Sequence, residues 1–157
     1  PCTIGLHFYV RDTKLNLTTY MRSNDACLGY PHDLFCFTML QELIALKVDI
    51  PLGSYTHCAT SMHIYEKHYD RIKRYLGEGK QEPLEMPPMR EYCKKTLNLV
   101  SKEFDTNISK SKFEKLDDYW KDYVLFSNRY SNDDQESWLR KFNSETLKIM
   151  AQNSLGK

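Results

Sequence analysis

Residues 34–46, LFCFTMLQELIAL, are apolar at Leu34, Phe35, Phe37, Met39, Leu40, Leu43, Ile44, Ala45 and Leu46. That leaves no broad polar face for solvent. A run of this length reads as a helix, and one apolar nearly all round calls for burial inside a domain. Asp49 and Pro51 end it, because proline lacks the N–H a continuing helix needs. Upstream, TIGLHFYVRDTKLNLTTYMR has two β-rich runs, Thr3 to Val10 and Leu15 to Tyr20, about the polar turn Arg11-Asp12-Thr13-Lys14. This predicts a β hairpin. Downstream, GSYTHCATSMHIYEKHYDRIKRYL begins with β-branched and aromatic residues and ends in a charged helical pattern. It predicts a strand over 53–62 and a helix over 66–76.

The segment 77–88 carries two glycines and three prolines and reads as a linker. Beyond it, helical spacing recurs at Cys93, Leu97, Val100 and Phe104, then at Phe113, Leu116, Trp120 and Tyr123, then at Leu139, Phe142 and Ile149. Ser131-Asn132-Asp133-Asp134 offers capping residues for the last stripe. Residues 89–157 are therefore expected to form a helical extension, either a small bundle or a wrap over the front part.

With 157 residues, 41% of them hydrophobic and 27% charged, the chain is expected to be one soluble globular domain with a core. Its 22 basic and 21 acidic residues nearly cancel, so no global field draws it to nucleic acid or to a membrane. Any anion it binds must be held by a local site. No apolar run approaches the roughly 20 residues of a membrane span, and no signal-peptide pattern opens the chain. The five cysteines (Cys2, Cys27, Cys36, Cys58 and Cys93) are odd in number and form no CxxC, which suggests free thiols in a reducing, cytoplasmic setting. The start at Pro1-Cys2, without methionine, suggests a processed or partial polypeptide.

Several residues invite chemistry, each with a plainer reading beside it. Arg22-Ser23 offers a guanidinium fork and a hydroxyl, which suit a phosphate, or is an ordinary surface pair. Cys2 is a nucleophile if a cation nearby favours its thiolate, or a small inert residue at a strand start. His57, Cys58, His63 and His68 with Cys27, His32 and Cys36 match no zinc-finger or ribbon spacing, so no metal is expected. Asp33 is a binding group or an N-terminal cap of the apolar helix.

Taken together, "PC" before a hairpin, "RSND" with "LGYPHD" before a long apolar helix, and "HIY" within SYTHCATSMHIYEKH resemble the thymidylate synthase family and its pyrimidine hydroxymethylase relatives. The resemblance covers residues 1 to about 76. It implies an α+β fold with a mixed sheet and a buried central helix, followed here by the helical C-terminal region. Residues 1–76 would be the C-terminal part of the catalytic domain, 77–88 the linker and 89–157 the extension. The resemblance further implies that Cys2 adds to C6 of a pyrimidine nucleotide and that C5 then takes the one-carbon unit of 5,10-methylenetetrahydrofolate. Arg22 and Ser23 would hold the 5′-phosphate, and His63 and Tyr65 the sugar 3′-hydroxyl. Asp25 would lie between base and folate, with Leu28, Gly29 and His32 on the folate side.

Position 33 departs from thymidylate synthase, which has asparagine there. An amide matches the edge of uracil, whereas a carboxyl that is protonated, or that shares a proton with N3, donates to N3 of cytosine and accepts from N4. The same aspartate marks the deoxycytidylate hydroxymethylases, including those of phage DNA modification. The expectation is thus a cytoplasmic, homodimeric enzyme that converts dCMP to 5-hydroxymethyl-dCMP, with arginines of the partner completing the phosphate site. Thymidylate synthase or dUMP hydroxymethylase activity, with Asp33 as a tolerated cap, is the alternative; a non-catalytic binding module is another. Thr3, Thr60-Ser61 and His32 also depart from the family pattern. The family's general-base glutamate and a wall tryptophan lie in the half that precedes the Pro-Cys pair.

Overall fold

In the computed structural model, which describes residues 1–80, 85–90, 96–98, 110–127, 143–145 and 148–149, the hairpin consists of β1 (Thr3–Arg11) and β2 (Lys14–Met21). They pair antiparallel from Arg11↔Lys14 to Thr3↔Met21. The sequence suggested a turn of Arg11 to Lys14, yet Arg11 and Lys14 close the ladder and only Asp12 and Thr13 turn, at φ 52° and 61°. Two left-handed residues make the tight connection whose twist matches that of the strands. Thr13 is costly there, because a β-branched side chain crowds its own backbone at positive φ. Its Oγ1 donates to the Asp12 carbonyl at 2.6 Å. Thr13→Gly is expected to raise the free energy of unfolding by about 0.5–1 kcal/mol, the relief of that strain less the added chain entropy of glycine. An unchanged or lower thermal midpoint would contradict this account of the turn.

The strand order is β1-β2-β4, with β4 (Leu52–Ala59) parallel to β2. Parallel neighbours need a crossover, and α1 (Gly29–Val48) supplies it. The middle strand, β2, is buried from Leu15 through Thr19 and again at Met21. Against it α1 buries Gln41 and Ala45, one turn apart, while Phe35 and Val48 remain 39% and 47% exposed. Asp49, at φ 55°, ends α1 in a left-handed cap, with the Ile50 N–H donating to the Ala45 carbonyl at 3.0 Å.

A bulge interrupts the β2–β4 pairing between Leu15 and Leu17. Polar side chains fill it. Asn16 Oδ1 accepts from the Ser54 N–H at 2.9 Å and from Ser54 Oγ at 2.8 Å, and Gln41 Nε2 donates to the carbonyls of Leu15 (2.9 Å) and Ser54 (3.1 Å). Gly53 is required by the close approach. A Cβ there would lie 2.6 Å from Asn16 Oδ1 and 2.9 Å from the Leu15 carbonyl oxygen.

The single strand expected over 53–62 is two. After β4 the chain bends at Thr60-Ser61, and β5 (Met62–His63) pairs parallel with β3 (Asn24–Asp25). A 3₁₀ turn (Glu66–His68) then leads into α2 (Tyr69–Gly77), so the helix expected over 66–76 begins as 3₁₀. Cys2, Cys27, Cys36 and Cys58 are free thiols.

The chain divides into two units, Pro1–Glu82 and Pro83–Lys157. The second contains α3 (Lys110–Phe113) and α4 (Asp118–Ser127). Leu116, Trp120 and Val124 are its buried stripe, with the Trp120 N–H donating to Asp117 Oδ1 at 3.1 Å as a cap. Asp122, 1% exposed, accepts from the Asn143 N–H at 2.7 Å. Cys93, Val100, Phe104, Leu139, Phe142 and the run 131–134 lie outside the described residues. Among the described residues no helix is long and apolar enough to cross a membrane.

Candidate active site

Because β2 and β4 run parallel, the segments that follow them emerge at one edge of the sheet, and antiparallel β1 starts at that same edge. Topology alone therefore gathers Cys2, Arg22-Ser23 and the His63–Tyr65 segment. Open ends of parallel strands are common ligand sites for this reason. The Arg22 N–H donates to the Cys2 carbonyl at 2.9 Å and Arg22 Nε to the Pro1 carbonyl at 3.0 Å, so the guanidinium is fastened beside the cysteine. Cys2 is exposed. Ser23 Oγ lies 3.3 Å from His63 Nδ1, and the β3–β5 pairing continues with the Ala26 N–H on the His63 carbonyl at 2.9 Å. Tyr65, 52% exposed, sets its ring edge-on to His63 at 4.9 Å.

Asp25 closes the turn into α1. Its Oδ1 accepts from the Cys27 N–H at 3.0 Å and its Oδ2 from the Leu28 N–H at 3.2 Å. The Cys27 N–H, chiefly, holds this carboxyl below its ordinary range; burial opposes it, and the Leu28 and Gly29 N–H groups and the charge of His68 add to the lowering. Asp25 is thus an anion presented beside Leu28 and Gly29. Leu28 is 38% exposed.

Asp33 is not the helix cap. The cap position is Leu28, without a side-chain hydrogen bond, and the first turn contains no acidic residue. Pro31 falls within that first turn, where its missing N–H costs nothing, so the helix starts about one turn before Asp33. Capping therefore does not account for Asp33. The Tyr55 phenol of β4 is pushed up mainly by burial, against the lowering effect of Thr19, with Tyr30, Asp33 and Cys58 adding to the rise.

The sequence reading missed a string of polar side chains beneath this edge. Tyr55 Oη lies 2.7 Å from His57 Nδ1, and His57 Nε2 lies 2.9 Å from Asn24 Nδ2. Asn24 is 4% exposed. The alternation in β4 puts Tyr55 and His57 on one face, and this was the available signal.

The sequence profile of the thymidylate synthase family matches residues 1–122. A putative thymidylate synthase of Methanocaldococcus jannaschii is 43% identical over 79 residues, which are 50% of this chain and 36% of that protein. The solved thermostable thymidylate synthase A from Bacillus subtilis superposes with a TM-score of 0.51 at 34% identity, covering 54% of this chain and 31% of the other. The chain thus spans about a third of the length of these relatives. With a family profile that runs from Pro1 through the hairpin, the crossover helix and the strand ends to Asp122, the chain belongs to the thymidylate synthase family.

Proposed function

We propose that this chain is the substrate-binding and nucleophile-bearing part of a folate-dependent enzyme that hydroxymethylates C5 of a cytosine nucleotide, dCMP to 5-hydroxymethyl-dCMP. The observation that carries the cytosine reading is the position of Asp33 inside α1, about one turn past the cap position, where it has no capping role. In this reading Arg22 and Ser23 take the 5′-phosphate, His63 and Tyr65 the sugar hydroxyl, and Asp33 shares a proton with N3 while accepting from N4. The Cys2 thiolate adds to C6, the C5=C6 electron pair moves onto C5 and makes it nucleophilic, and, with the one-carbon unit on C5 in place of its proton, water supplies the hydroxyl. Arg22, held to Cys2 and Pro1 through main-chain carbonyls, would supply positive charge to the phosphate at the end of the site that carries the cysteine.

5,10-Methylenetetrahydrofolate fits the residues at the start of α1. The Asp25 carboxylate spends one lone pair of each oxygen on main-chain N–H groups and keeps others for ring N–H donors, while exposed Leu28 offers an apolar surface beside it. When bound, the folate supplies the one-carbon unit at C5. Asp25, Leu28, Gly29 and His32 would hold it. A homodimer and a cytoplasmic setting go with this reading.

The second reading, methylation of a uracil nucleotide, is favoured by the activity named for both relatives. One substitution separates the two. In the full-length protein, Asp33→Asn is expected to lower kcat/KM for dCMP by about 10–100-fold and to raise it for dUMP, because a mismatched base edge leaves buried polar groups unpaired. An unchanged ratio of the two nucleotides would remove Asp33 as the base reader.

A further inference from the structure

None of these roles uses the Asn24–His57–Tyr55 string, although it runs directly beneath the residues that do. His57 meets three elements at once. It reaches β3 through Asn24 at 2.9 Å, the first turn of α1 through the edge of Tyr30 (ring centroids 5.1 Å apart, planes at 79°), and the neighbouring position of β4 through Tyr55 at 2.7 Å. Asn24 stands between Ser23 and Asp25 in the chain, and its Oδ1 lies so close to Gly29 that a Cβ there would come within 2.8 Å of it. Tyr30, for its part, lies in the turn that leads to Asp33.

We propose that His57 is a positioning residue that sets the separation between the phosphate end of the site, Arg22-Ser23, and its base end, Asp33. The inference rests on the nucleotide reading above. The string closes without any formal charge. With Asn24 Nδ2 donating to His57 Nε2, the imidazole proton sits on Nδ1 and goes to Tyr55 Oη; with the amide turned over, the imidazole donates to Asn24 and Tyr55 donates to Nδ1. Either way β3 and the start of α1 are tied to the same ring. A ligand that grips both ends gains from a fixed separation, since its second contact is made at high effective concentration only when the spacing is right. A ligand that grips one end does not.

The test compares dCMP with deoxycytidine, which lacks the phosphate, as ligands of the full-length protein. His57→Phe keeps a ring against Tyr30 and removes both hydrogen bonds. It is expected to weaken dCMP about tenfold and to leave deoxycytidine within about twofold, so the phosphate preference falls about tenfold. Asn24→Ala cuts the string at its other end and is expected to give the same loss, with the double variant no worse than either single. His57→Gln, which retains a donor and an acceptor, is expected to restore most of the preference. It also serves as the measured variant if His57→Phe does not fold. Equal weakening of both ligands, or a preference kept in His57→Phe, overturns the positioning role while the nucleotide reading stands. A wild-type protein that does not prefer dCMP to deoxycytidine overturns the nucleotide reading itself, and the positioning role with it.

Discussion

Replacing Cys2 by serine in the full-length protein is expected to lower turnover at least about a thousandfold while leaving nucleotide affinity within about twofold. The two halves of this expectation have separate causes. The main-chain carbonyl of Cys2, and not its sulfur, receives the Arg22 N–H, so the substitution leaves the strand pairing and the guanidinium where they are. Its side chain is exposed and supports no core. What is lost is the atom that bonds to C6, since an alcohol is a far weaker nucleophile than a thiolate. The wild-type protein is expected to form a covalent adduct with 5-fluoro-dCMP, seen as a mass increase, and Cys2→Ser is not. Turnover within tenfold of wild type in Cys2→Ser would remove Cys2 from the chemistry. Nucleotide binding by wild type without an adduct or tritium release from C5 would point to the binding-module alternative.

The elements that local periodicity can define were legible in the sequence, and those that depend on a distant partner were not. β1, β2 and α1 follow from alternation and from an apolar run too long for a strand. The place of the turn was legible, but its left-handed form was not, because Asp12-Thr13 lacks the glycine that normally announces two positive φ angles. The break at Thr60-Ser61 was hidden, since its cause is the recruitment of Met62–His63 by Asn24–Asp25, far away in the chain. The start of α1 was placed late because Asp33 has the chemistry of a cap, whereas Asp25 holds the entry turn from outside the helix. Of the candidate site, Cys2, Arg22, Ser23, Asp25, Asp33, His63 and Tyr65 came from motifs in register. The gathering of Cys2, Arg22, Ser23, His63 and Tyr65 at one sheet edge has a physical cause in the parallel pairing of β2 with β4. Asn24 and His57 belong to no such motif, and a hydrogen bond between residues 33 positions apart leaves no local pattern to read.

Gln41 carries the largest expected effect on stability, and it too is a polar residue concealed in an apolar run. It is 2% exposed, and its amide donates to two carbonyls, Leu15 O on β2 and Ser54 O on β4, at the point where the parallel pairing slips. A buried glutamine is tolerated only because both donors are used; taking them away leaves the buried Leu15 carbonyl and the part-buried Ser54 carbonyl each short of a hydrogen bond. Gln41→Met, close in volume and without donors, is therefore expected to lower the free energy of unfolding by about 2–3 kcal/mol, or the thermal midpoint by on the order of 10 °C. Gln41→Glu is expected to be worse, because a carboxylate would face the same two carbonyl oxygens with no proton to offer them and would have to bury a charge. The order matters more than either value. If apolar packing were what Gln41 contributes, methionine would be nearly neutral, and chemical denaturation of the two variants would separate that account from this one. A neutral Gln41→Met would mean that the bulge finds other donors and that α1 is held to the sheet by Ala45 and its neighbours alone.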